Sequence, residues 1–328
     1  MSDYIVLATL SAIVLLYGCL GELITEKSGH LNLGTPGIMC MGAYGGCLFI
    51  SKYMNALSNP DNAWYILIVL LALIGSMLFA ALGGLIYAFL TVSLRCNQNI
   101  VGLALTTFGA GFASYFMGNV NSELGKTNLT KASLKIKKCL PFADNLGWFG
   151  EIFLSHGILV YLAIALAIGV YFILKKTRMG LNLRSVGESP ATADAMGINV
   201  TAYKYLSIII GGAIAGIGGM FYVMNKSNGI WDNSANVEAF GWLALALVIF
   251  STWNPLVAVA GSLLFGLLDR FGQFANNFGI HLNAWGVLLT DILPYLVTVI
   301  VLIVTSIIGK KETQPPSSLG VNYFREDR

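Results

Sequence analysis

The chain has 328 residues, of which 56% are hydrophobic and only 11% charged, with a formal charge of +3. That composition lies outside the usual range of soluble domains and excludes water as the main solvent. The Lys and Arg residues sit in connecting segments, with no basic stripe interleaved with aromatics, which argues against nucleic acid as a partner.

At about 20 residues per span plus loops, the length leaves room for roughly eight to ten membrane helices. The apolar runs predict nine, at 4–24, 31–50, 64–90, 98–118, 152–174, 203–225, 235–252, 254–270 and 286–308. The first ends in Leu16-Tyr17-Gly18-Cys19, similar to a lipoprotein cleavage site, but no Lys or Arg precedes it, so it reads as a span. Glu22 and Glu26 close that span. The second opens on Asn32, Gly34, Pro36 and Gly37, which would interrupt a regular helix and predict a broken or re-entrant element. Gly42 with Gly46, and Gly212 with Gly216, have the spacing of close helix contacts in lipid. Asn97, Gln98 and Asn99 start the fourth span, and Thr106 and Thr107 lie within it.

The segment 119–151 is the longest connection, basic from Lys126 to Lys138, and reads either as a solvated loop or as a docking surface for an extracytoplasmic partner. Asp269 and Arg270 close the eighth run and read as an interfacial anchor. Cys19, Cys40, Cys47, Cys96 and Cys139 are odd in number and largely within apolar runs, unlike a disulfide framework. Cys40 and Cys47 share a helix face, but without His or carboxylate company they make a poor metal site. The three histidines are scattered, and no span contains H-E-x-x-H or G-x-S-x-G, so no enzyme constellation is evident. With the N-terminus outside, the inner side carries eleven cationic residues (Lys27, Arg95, Lys175, Lys176, Arg178, Arg184, Lys204, Lys310, Lys311, Arg325, Arg328) and the outer side eight.

Between two spans lies the polar stretch 175–200. Ser189 suits an N-cap, Pro190 a first helical position, Ala191 to Met196 favour helix, and Gly197 is placed to end it. A two-turn helix outside the membrane is predicted. One so short is marginal alone in water, so something must hold it; a connector resting on the lipid headgroups is one possibility on these grounds.

The stretch Arg178-Met-Gly-Leu-Asn-Leu-Arg-Ser-Val-Gly-Glu-Ser-Pro-Ala-Thr-Ala-Asp-Ala-Met-Gly-Ile-Asn-Val200 resembles the cytoplasmic coupling loop of bacterial ABC importer permeases of the ribose, branched-chain amino acid and nucleoside superfamily. Gly21-Glu-Leu-Ile-Thr-Glu-Lys-Ser-Gly-His-Leu-Asn-Leu-Gly34 resembles a second signature, most closely in the nucleoside-type branch, and Trp253-Asn254-Pro255 with Leu263 to Asp269 a third. Two positions depart from that branch, Pro36 where it often has Glu and His30 where it often has a small apolar residue.

The resemblance implies an all-α, polytopic helical membrane bundle of about 8–10 transmembrane helices. It divides the chain into a single domain, 1–310, and a short cytoplasmic tail, 311–328. It implies a multi-pass protein of the bacterial cell membrane that forms a solute pathway, with nucleosides as the leading solute and riboflavin-like heterocycles or sugars as alternatives. An ion-coupled secondary transporter is the remaining alternative; it would need paired carboxylates or His deep in the spans.

The implied partners are a separate ATPase subunit, a second permease subunit, identical or homologous, and an extracytoplasmic solute-binding lipoprotein. The coupling set would be Arg178, Gly180, Arg184, Gly187, Glu188, Ser189, Pro190, Ala193, Asp194 and Gly197. The chain lacks a G-x-x-x-x-G-K-S/T phosphate cradle, so no cofactor is expected in it, and ATP-Mg would be used by the partner. Glu22, Asn32, Asn99, Thr106 and Thr107 are the solute-pathway candidates, since their donors and acceptors suit a neutral hydroxylated or heterocyclic solute. Interhelical hydrogen bonding is the competing role for each.

Overall fold

A computed structural model describes residues 2–120, 123–137, 150, 154–308 and 314–324. The helices are α1 (Ser2–Glu26), α2 (Thr35–Ala56), α3 (Tyr65–Ala88), α4 (Gln98–Val120), α5 (Glu123–Ile136), α6 (Ile158–Lys176), α7 (Arg178–Glu188), α8 (Pro190–Ala195), α9 (Val200–Phe221), α10 (Ser234–Phe250), α11 (Pro255–Phe274), α12 (Ala284–Thr290) and α13 (Leu293–Ile308). Among the described residues, seven helices are long and apolar enough to cross a membrane. The other two predicted runs form α2, which is not among the seven, and the shorter apolar α10. The fifth run was expected from 152 and its helix starts at Ile158.

The reason α2 escapes a hydropathy criterion is its position. It packs on α1, α3, α4, α9 and α10 and is buried along most of its length, so it needs small residues more than lipid-facing leucines. A Cβ on Gly42 would lie 2.3 Å from the Cα of Gly216 on α9, a backbone approach that only glycine permits. Tyr44 of α2 then packs against Phe79 of α3 and Phe112 of α4, with ring centroids 5.2 and 5.4 Å away, joining the three helices laterally. The irregular backbone expected at the opening of the second run is present at 27–34, ahead of the helix. Pro36 occupies the first turn of α2, where its missing N–H does no harm, and the helix runs on unbroken.

One end of the bundle gathers the ends of α1, α3, α6 and α10 with the starts of α2, α4, α9 and α11. Tyr87 Oη donates to Leu31 O at 2.7 Å, Leu31 N to Gln98 Oε1 at 2.9 Å, and Trp253 Nε1 to Glu26 Oε2 at 2.5 Å. Lys27, Arg95, Lys175, Lys176, Arg178, Arg184 and Lys204 fall at this end, which marks it as the cytoplasmic face.

The opposite end corrects one expectation. Residues 123–136 form α5, a packed helix and not a solvated loop. Leu129, Ala132 and Ile136 are fully buried, Ser133 Oγ donates to Met224 O at 2.6 Å, and Lys135 Nζ bonds the carbonyls of Asp61 and Ala63. Lys138, Cys139 and the rest of that basic segment to residue 149 lie outside the described residues. Asp269 and Arg270, read as an interfacial anchor, also make contacts within the bundle. The Asp269 carboxylate accepts from Ser11 Oγ at 2.8 Å and lies 3.4 Å from Lys226 Nζ, while Arg270 Nε donates to Ser11 Oγ, a cross-link among α1, α11 and the turn 222–226 that follows α9.

Candidate functional site

The polar stretch folds as two helices set in an elbow. Thr177 accepts from Gly180 N to cap α7, a helix that local signals did not reveal because its glycines and polar residues obscure the periodicity. Ser189 accepts from Thr192 N to cap α8, Pro190 opens it, and Gly197 ends it at φ 80° with Ile198 N bonded back to Ala193 O. The two-turn helix expected over 189–197 is therefore present, and the question of what holds it has an answer in packing. Ala193 is 2% exposed and joins Val186 and Val200 in a small apolar cluster under Ile198, Tyr203 and Tyr323.

Within the elbow the predicted residues divide. Gly180, Gly187 and Ala193 face inward and seat the elbow on the bundle. Arg178, Met179, Leu181, Ala191, Ala195, Met196 and Gly197 face outward, with Met196 78% exposed and nothing within 4 Å of a Cβ at Gly197. The exposed apolar tips Met179, Leu181 and Met196 went unnoticed in the sequence, since nothing local tells an outward methionine from a core one.

A second feature missed by sequence reading is the tail. Residues 314–324 run back across the cytoplasmic face. Ser318 N and Oγ donate to Gly187 O at 3.0 and 2.5 Å, and Gly320 N to Gly29 O at 3.2 Å. Glu188 Oε2 accepts from Ser317 Oγ at 2.7 Å, Asn322 Nδ2 donates to Arg95 O at 2.7 Å, and Tyr323 Oη donates to Asp194 Oδ2 at 2.9 Å. Two of the predicted coupling residues, Glu188 and Asp194, are thus engaged by the chain's own tail. Nearby, burial pushes the Lys27 ammonium below the ordinary lysine range; Glu188 opposes that shift, Arg184 adds to it and Glu26 opposes it.

The solute-pathway candidates are not brought together. Glu22, Asn32 and Thr106 hold the irregular segment in place: Glu22 accepts from Asn32 N at 2.9 Å and Thr35 Oγ1 at 2.5 Å, Asn32 Oδ1 from Gly34 N at 2.9 Å, and Thr106 Oγ1 donates to Leu33 O at 2.7 Å. Asn99 and Thr107 lie instead on the exposed side of α4. Glu26 likewise has a structural partner in Trp253, which follows Thr252 in a left-handed turn with φ of 50° and 55°. Trp253→Phe should lower stability by about 1–3 kcal/mol, since it strips a buried carboxyl of its donor; thermal melting in detergent would show it, and an unchanged melt would mean that the bond contributes nothing.

The described residues thus form a multi-helix membrane bundle that carries, on its basic face, an elbow seated through Ala193 with its apolar tips turned outward. The model of the family described as "Branched-chain amino acid transport system / permease component" matches residues 4–304, and the chain belongs to that family. It is a multi-pass cytoplasmic-membrane permease of the ABC transporter class. The chain is 32% identical to the nucleoside ABC transporter permease protein NupC of Lactococcus lactis over 95% of its own length and 93% of that protein. It is 31% identical to the guanosine ABC transporter permease protein NupQ of Bacillus subtilis, over 96% and 94%. It is also 35% identical, over 83% and 78%, to TsgC13 of Haloferax volcanii, assigned provisionally as a glucose ABC transporter permease protein. No solved structure matches the chain.

Proposed function

We propose that this permease forms part of the translocation pathway of an ATP-driven nucleoside importer and takes its driving force from a separate ATPase subunit at the α7–α8 elbow. The observation that carries the coupling reading is the division of the elbow: an inward side seated through Ala193 and an outward side ending in Met196 and Gly197. A rigid element with an exposed apolar tip transmits displacement; a loose one would absorb it. The nucleoside reading rests on the names of NupC and NupQ, both similar over nearly the whole chain. ATP-Mg would be bound by the ATPase partner.

A second permease subunit, homologous or identical, would complete the pathway. The outer side of α4 supports this, because Ala104, Thr107, Gly111 and Gly118 are exposed small residues with open space at both glycines, and such surfaces pack against another helix in lipid. Asn99 and Thr107 would then face that junction. An extracytoplasmic binding lipoprotein would deliver the solute.

Reconstitution with a candidate ATPase, second permease and binding protein tests the reading, with labelled guanosine, riboflavin and glucose offered separately. Guanosine uptake that requires ATP is the expected result. ATP-dependent uptake of glucose alone would transfer the chain to the sugar reading that the TsgC13 similarity favours. Uptake that persists without the ATPase and collapses with the proton gradient would replace the importer by a secondary transporter.

A further inference from the structure

The cytoplasmic face holds a cavity of about 430 Å³ between the α8–α9 turn, the α3–α4 connection and the tail. We propose that this cavity is a binding site for a phosphate-bearing anion, separate from the solute pathway. Its lining includes His30, Arg95, Asp194, Lys204, Asn322 and Tyr323.

Two groups that line it have no partner among the described residues. Lys204, on the second turn of α9, is 3% exposed, and its ammonium makes no hydrogen bond or ion pair among the described residues. His30 is 1% exposed, and both ring nitrogens lack a hydrogen-bond partner among the described residues. Burial holds its imidazole well below the usual histidine range, and the Lys204 charge pushes the same way, so an anion beside Lys204 would relieve both groups. A buried charge is ordinarily paired or ligated, and leaving one bare costs several kcal/mol, on the order of the pair itself.

The rest of the lining fits the same ligand. The N-terminus of α9 opens on the cavity at Val200 and Thr201, adding the positive end of a 22-residue helix. Arg95 supplies a guanidinium suited to phosphate oxygens, and its backbone is held at φ 56° while Asn322 Nδ2 bonds its carbonyl. The acid in the lining, Asp194, is occupied by the Tyr323 hydroxyl at 2.9 Å. The volume falls in the range of about 300–1,000 Å³ typical of small-molecule sites and leaves room for a phosphomonoester or a lipid headgroup. Because Asp194, Gly197 and Tyr323 all border the cavity, an occupant would join the tail to α8 and change the freedom of the elbow.

The test reads binding and not transport, so it stands or falls apart from the nucleoside reading. The full-length permease, without its ATPase, is placed in phosphatidylcholine nanodiscs and titrated calorimetrically with inorganic phosphate and with adenosine monophosphate. A parallel sample in phosphatidylglycerol nanodiscs is analysed by native mass spectrometry for retained lipid. Saturable binding in the first arm assigns a soluble phosphate; retention in the second alone assigns a lipid headgroup. In either case Lys204→Gln should weaken binding about tenfold, the loss of roughly 1.4 kcal/mol of charge-assisted contact. Arg95→Asn should weaken it independently, because Asn tolerates the left-handed conformation and removes only the charge; it decides the matter if Lys204→Gln fails to fold. Absence of binding in both arms, or binding equal in wild type and Arg95→Asn, overturns the site.

Discussion

Met196→Glu should cut ATP-driven uptake by the assembled transporter about tenfold or more while leaving the permease folded. Met196 stands 78% exposed at the C-terminal end of α8, the outermost apolar tip of the elbow. Truncating a central contact in a docked interface commonly costs about 2 kcal/mol, and burying an unpaired carboxylate there costs more. Because Met196 supports none of the elbow's own packing, the melting temperature of the isolated permease should hardly move. Ala193→Leu makes the contrast: at 2% exposure inside the cluster of Val186 and Val200, the added bulk should disturb the elbow itself and lower thermal stability along with transport. Co-purification with the ATPase, uptake and thermal melting distinguish the two. If Met196→Glu transports at the wild-type rate and still retains the ATPase, α8 is not the contact.

Glu22→Ala should have the largest effect on stability, about 3 kcal/mol or more, seen as a fall in melting temperature on the order of 5–10 °C. The Glu22 carboxyl is 1% exposed and accepts from both Asn32 N and Thr35 Oγ1, so its removal orphans two buried donors at once. Glu22→Gln keeps one acceptor oxygen and should lose about half as much. Were Glu22 a group that contacts solute and does not hold the fold, Glu22→Ala would melt like wild type and alter solute selectivity.

These two residues show how unevenly the sequence could be read. The capped helix at 189–197 was legible because Ser189, Pro190 and Gly197 act on their own backbone within a turn. Met196 lies in the same helix, yet its exposure depends on Val186, Val200 and Tyr323 filling the other side. Glu22 and Asn32 were visible as polar groups at membrane depth, but a hydrogen-bonded brace and a solute contact use the same chemistry, and only the position of Thr35 and the backbone of Asn32 separates them. The helix α5 was hidden for a related reason. Its lysines made it look like a solvated loop, whereas Lys131 and Lys135 reach back to the turn at Pro60–Asn62 and its apolar positions close over the end of α9.

The sequence by itself determined the membrane location, the approximate nine helical runs and the capped two-turn helix at 189–197, because hydrocarbon demands internally paired backbone and because capping is local. Tertiary structure alone decided which polar groups meet: Trp253 reaches Glu26 across 227 residues, and Ser317 reaches Glu188 across 129. Contacts at such separations leave no periodic trace in the chain, since each is created only when helices of unrelated sequence pack side by side. The same holds for the tail. Its Ser, Asn and Tyr residues read as ordinary polar terminus until the bundle end presents the carbonyls of Gly187 and Arg95 and the carboxylates of Glu188 and Asp194 that they bind.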